Sequence, residues 1–168
     1  MDNHILKKII FEEEPRSEVP PPHIYEVKCN GFTTIVDVDK SPTVDNIPPV
    51  LPVNAILYSP NRETLATLNA IRIAKDSANI YHTSVSKDAS LRDKWAYFAE
   101  IYVAFEKAML REGIKELTIS THTTVAKLLK DMGWAEVGTR GTRIDLEKKL
   151  SKENIHIPLI LEKYQTHF

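Results

Sequence analysis

The chain has little of what marks several large function classes. One cysteine in 168 residues, Cys29, excludes an internal disulfide or a multi-cysteine zinc site and points to a reducing compartment. No uninterrupted apolar run approaches the ~20 residues that a membrane-spanning helix needs. The N-terminus, MDNHILKKIIFEEE, has a short apolar stretch followed directly by three glutamates, which is not a signal-peptide pattern. Net charge is −1, so bulk electrostatics favours neither nucleic acid nor a membrane surface. A single cytoplasmic domain is the expectation.

What is present is unevenly spread. Nine of the ten prolines fall in residues 1–60, which carry 5 Lys+Arg against 9 Asp+Glu. An irregular acidic front thus precedes a more regular, mildly basic body. Residues 1–22 mix Ile5, Leu6, Ile9 and Ile10 with EEEP and PPP. Proline does not continue a helix and biases its predecessor toward extended backbone. This segment reads as an arm or linker, apolar enough to dock on its own domain or on a partner.

Asn30-Gly31 between HIYEVKC and FTTIVDVD is a strong hairpin signal, because both turn residues must accept positive φ. Residues 40–52, KSPTVDNIPPVLP, hold too many prolines for a helix and read as a loop. Residues 53–58 form a short strand, and 65–75 and 79–86 a second antiparallel pair around 76–78. Leu91, Trp95, Phe98, Tyr102, Phe105 and Met109 recur at three- and four-residue steps, which predicts an amphipathic helix. Ser90 and Asp93 can cap it and Gly113 stop it. A strand over 114–120, a short helix over 123–132 ending at Gly133, and strand-like alternation over 134–146 follow. The tail, 151–168, is a last strand or an arm. This order predicts an α/β (α+β) fold over residues 23–150. It is a mixed, mostly antiparallel sheet with a long and a short helix packed on it, preceded by the extended arm.

Residues 100–138, EIYVAFEKAMLREGIKELTISTHTTVAKLLKDMGWAEVG, resemble the GNAT superfamily of N-acetyltransferases. Met132-Gly133-Trp134 stands where that family carries leucine-glycine-phenylalanine at a strand start. The likeness covers residues 80–138, and 53–80 loosely. It implies acetyl-CoA in a V-shaped split between two neighbouring parallel strands. The amides of the cofactor would pair with a strand edge. Its pyrophosphate would sit at the N-terminus of the long helix, where free N–H groups and the helix dipole favour anions. On that reading Val85, Arg92 and Lys94 bind the cofactor, and strand N–H groups near Val85 stabilise the oxyanion.

Three positions depart from the family pattern. Trp95 and Tyr97 stand where the phosphate loop has glycine or alanine, which let backbone close on phosphates. Leu129 lies four residues before Gly133, where many members have the tyrosine that reprotonates the CoA thiolate. The proline-rich loop occupies the interval that holds acceptor-binding helices in the family. The first expectation is therefore a non-catalytic binding or structural module without a cofactor, degenerate in the manner of tailed-phage virion and accessory proteins. It would meet a protein partner through the arm or tail, or form a homo-oligomer, in host cytoplasm or virion. The alternative is an acyl-CoA-dependent N-acetyltransferase acting on a primary amine, with acetyl-CoA as cosubstrate and water as the acid.

His82, in the strand before the long helix, and His122, just ahead of the short helix, are the catalytic candidates. Their plain alternatives are a sheet-surface residue and part of a capping stretch. No metal site is expected. Asp37, Asp39, Ser41, Thr43 and Asp45 alternate as in a calcium loop, but Pro42 and Pro48 replace its glycine and glutamate. Cys29 has no base beside it in sequence. Arg140, Arg143, Lys148, Lys149 and Lys152 interleave with Glu136, Asp145, Glu147 and Glu153, which reads as a solvated, self-compensating surface. Most of the aromatics from Trp95 to Phe105 read as core, with Tyr97 and Trp134 as the ones to find exposed.

Overall fold

Asn30 and Gly31 take φ values of 52° and 85° and turn strand β1 (His23–Cys29) back onto β2 (Phe32–Val38), with Cys29 opposite Phe32. The computed structural model describes residues 23–39 and 51–156. The expectations for the arm, the calcium-like loop and the tail beyond 156 fall outside those residues. After β2 come β3 (Leu51–Tyr58), β4 (Thr64–Ala74) and β5 (Ser77–Val85), then helix α1 (Leu91–Arg111). Strand β6 (Glu116–Thr121), helix α2 (Thr123–Asp131), β7 (Ala135–Arg140) and β8 (Arg143–Lys149) complete the order. Leu51 and Pro52, read as loop from proline density, open β3 instead, opposite Arg72 and Ile71.

All eight strands form one sheet in the order β1-β2-β3-β4-β5-β6-β8-β7. Among the described residues only β5 and β6 run parallel, because α1 carries the chain from the end of one to the start of the other. Alternation places Val36 and Val38, Val53, Ala55 and Leu57, and Leu68 and Ala70 on one face. Along α1, the three- and four-residue spacing brings Trp95, Phe98, Ile101, Tyr102, Phe105 and Met109 into that core. Each such side chain contributes about 1.5–3 kcal/mol on burial. Ser90 caps α1, its Oγ accepting from the Asp93 N–H at 3.2 Å, as the spacing predicts.

The alternation over 134–146 resolves into a hairpin, β7 and β8, with Gly141 at φ 62° in its turn. Lys148 is not part of a solvated surface: it shares the inward side of β8 with Leu146 and is 1% exposed. Its Nζ donates to Glu106 Oε1 at 2.5 Å, Met132 O at 2.5 Å and Asn154 O at 2.6 Å. Gly133, at φ 96°, leaves room for it; a Cβ there would stand 3.4 Å from Lys148 Cε. No helix among the described residues is long and apolar enough to cross a membrane.

Candidate functional site

β5 and β6 pair for four residues only, from Ser77 with Glu116 to Ile80 with Ile119. β5 then runs on to Val85 and β6 to Thr121 with no further pairing between them among the described residues. Residues 82–85 remain paired with β4 on their other side, from Asn69–His82 to Ala66–Val85. Among the described residues, a row of backbone N–H and C=O groups is therefore left open toward β6. A bulge marks where the strands part. Ala70 faces Ile80 while Asn69 faces His82, so Tyr81 is the extra residue, and it is 59% exposed.

On the helix side of this cleft, Thr83 Oγ1 lies 2.8 Å from the Tyr102 hydroxyl. Tyr102 stacks on Phe98 at 4.5 Å between ring centroids and meets Trp134 edge-on at 6.4 Å. Burial holds its phenol well above the ordinary value, so the hydroxyl keeps its proton at neutral pH. Periodicity assigns Tyr102 to the core, and its burial agrees. That its hydroxyl reaches the open segment of β5 is a long-range fact that spacing does not carry.

On the far side, His82 is exposed opposite Asn69, whose Nδ2 donates to Asn54 Oδ1 at 2.6 Å. At the closed end, Asn79 Nδ2 donates to Thr118 Oγ1 at 2.8 Å and ties the two strands together. His122 belongs to the other lip, at the N-cap of α2. Its side chain makes no capping bond, and Nε2 lies 3.4 Å from Arg143 Nη1. Arg143 Nη2 donates to Ser120 O at 2.6 Å. The two histidines thus stand on opposite lips, His82 on β5 and His122 on β6's continuation.

The phosphate end differs from the sequence expectation. Because α1 begins at Leu91, Trp95 and Tyr97 lie inside the helix rather than in the loop before it. Neither is exposed. Trp95 is 1% exposed in the core, and Tyr97 packs edge-on against Phe32 at 5.5 Å. Trp134, also read as a candidate for exposure, is 3% exposed, with its indole N–H on Glu106 Oε2 at 3.1 Å. The connection from β5 to α1 is residues 86–90, Ser-Lys-Asp-Ala-Ser: no glycine, but small residues at three of five positions. Val85 ends β5 half-buried, Arg92 is exposed in the first turn of α1, and Lys94 is half-buried.

Leu129 is fully buried among the core residues and transfers no proton. Cys29 is half-buried near Glu100, and burial and that carboxylate push its thiol above the ordinary value. Among the described residues no cluster of His, Cys, Asp and Glu is placed to hold a metal ion. The arrangement can accept an extended amide-bearing chain along β5. It offers a histidine on one side of that edge and a hydroxyl pair on the other.

No protein-family model matches the chain, and no curated protein sequence matches it. Solved structures do. The chain is similar to PaiA N-acetyltransferase from Thermoplasma acidophilum in complex with coenzyme A, at 17% identity and a TM-score of 0.51. That match covers 59% of this chain and 61% of the other, so the chain spans less than two thirds of that protein's length. It is also similar to a GNAT family acetyltransferase from Elizabethkingia anophelis with acetyl-CoA bound, at 12% identity and a TM-score of 0.50. There the match covers 73% of this chain and all of the other. A third is the putative acyl-CoA N-acyltransferase from Klebsiella pneumoniae, at 12% identity, a TM-score of 0.51, and 60% and 73% coverage. At these identities the likeness establishes architecture, and the architecture of this chain is the GNAT fold.

Proposed function

We propose that the chain is an acyl-CoA-dependent N-acyltransferase whose acceptor is a primary amine. The observation that carries this reading is the open edge of residues 81–85, unpaired toward β6 and not plugged by Trp95 or Tyr97. The amides of a pantetheine arm fit such an edge as a further strand would. Bound there, an acyl-CoA supplies an activated acyl thioester. The N–H groups of this edge donate to the acyl carbonyl oxygen. His82, on the exposed side, takes a proton from the incoming amine at a ring nitrogen. The amine nitrogen bonds to the acyl carbon as the carbon–sulfur bond breaks. The fully buried Tyr102 hydroxyl holds Thr83 Oγ1 in place, and water returns a proton to the departing sulfur in place of the missing tyrosine. Arg92 and the small-residue connection at 86–90 receive the phosphates.

A second reading keeps the fold and drops the chemistry. Leu129 at the family's acid position and the glycine-free connection favour a binding or structural module, of the kind tailed phages carry, that meets a protein partner. Calorimetric titration with acetyl-CoA separates the two. The transferase reading predicts micromolar binding, about −8 kcal/mol. Absence of heat up to about 1 mM contradicts it and leaves the second.

A further inference from the structure

A second concavity lies on the sheet face turned away from the helices, where the β1–β2 and β3–β4 turns meet. Its volume is roughly 800 Å³, within the range of small-molecule clefts. Ile35, Tyr58 and Pro60 supply its apolar wall, and Lys28 and Arg62 stand at it with cations. The register explains the grouping. Lys28 faces Thr33 and Thr33 faces Tyr58, a cross-strand row opposite in pleat to the buried Val27, Thr34 and Leu57. Glu26, two residues from Lys28 on the same face, also lines the pocket and is 3% exposed.

The turn that presents Arg62 is an independent observation. The Arg62 N–H donates to Ser59 O at 2.9 Å, and the Ser59 N–H donates to Glu63 O at 2.9 Å. Pro60 and Asn61 occupy the turn, and Arg62 follows at φ 65°, with the ladder register shifted at Leu57/Tyr58. In hairpins of this type that position belongs to glycine, since a Cβ is strained there. An arginine held in left-handed backbone beside a pocket is strain kept at a site of use.

We propose that this pocket binds a small aromatic anion, its ring against Ile35 and Tyr58 and its carboxylate or phosphate between Lys28 and Arg62. β4 stands between these strands and β5, so the site is separate from the cleft and does not depend on the transferase reading.

The test uses the full chain with benzoate, phenyl phosphate and benzyl alcohol as probes, read by amide chemical shifts and by melting temperature. At least one anion is expected to shift the amides of Thr33 and Tyr58, with benzyl alcohol about tenfold weaker. Arg62→Gly is expected to weaken the anion about tenfold while the melting temperature holds or rises, because glycine accepts the left-handed backbone. Lys28→Gln weakens it too. Three results overturn the proposal: neither anion shifts those amides at about 10 mM, benzyl alcohol binds equally well, or Arg62→Gly leaves anion affinity unchanged.

Discussion

Glu100 carries its carboxylate into a site only 4% exposed, where Asn30 Nδ2 reaches Oε1 at 2.5 Å. Burial raises its pKa above the usual carboxylate range, and the bonds from Asn30 and Cys29 offset that only in part. The folded state therefore holds this proton to higher pH than the unfolded state does. Stability from this group falls as pH rises from the ordinary carboxylate value through the folded one, and below that window both states are protonated. Glu100→Gln, which keeps an acceptor for Cys29, is thus predicted to match the parent in urea unfolding at about pH 3.5 and to exceed it at about pH 7. A glutamine variant less stable at the higher pH contradicts this. Lys148 shows what sequence conveys at this scale and what it hides. Its charge, interleaved with Asp145 and Glu147, looks solvated, yet Leu146 two residues earlier marks the inward side of the strand. The signal for burial was the period of two. The signal for its partner, Glu106, does not exist locally, because that residue lies 42 positions earlier on α1.

Elements with local causes were legible. The Asn30-Gly31 hairpin needs two left-handed residues in a row, and α1 needs only its spacing, its Ser90 cap and its glycine stop. The helix start at Leu91 mattered more than its existence: it moves Trp95 and Tyr97 out of the phosphate loop, where family alignment had set them, and puts residues 86–90 there. Between elements, the ammonium of Lys148 joins α1 through Glu106, the α2–β7 connection through Met132 O, and the short 3-10 turn Lys152–Asn154 through Asn154 O. Lys148→Met leaves the Glu106 carboxylate buried without its cation and is predicted to cost about 3–5 kcal/mol in urea unfolding. Pairing it with Glu106→Gln recovers only the part owed to the uncompensated charge, since the amide oxygen still accepts the Trp134 N–H but Met132 O and Asn154 O lose their donor. A single-variant loss below about 1 kcal/mol contradicts the linking role.

For the whole molecule, the sheet opens at its one parallel pair, directly below the start of the helix that connects the two strands. The order of elements pointed to this arrangement. The residue where the strands part, and the bulge that sets Tyr81 and His82 there, depend on pairing across a 21-residue helix and were not legible. The central claim is that the open edge of β5 takes the pantetheine arm, and hydrogen exchange of the backbone amides, with and without acetyl-CoA, reads that edge directly. The account predicts slowed exchange in residues 81–85 on adding acetyl-CoA, with β2 and β3 unchanged. Unchanged exchange at 81–85 under conditions where acetyl-CoA binds would contradict it.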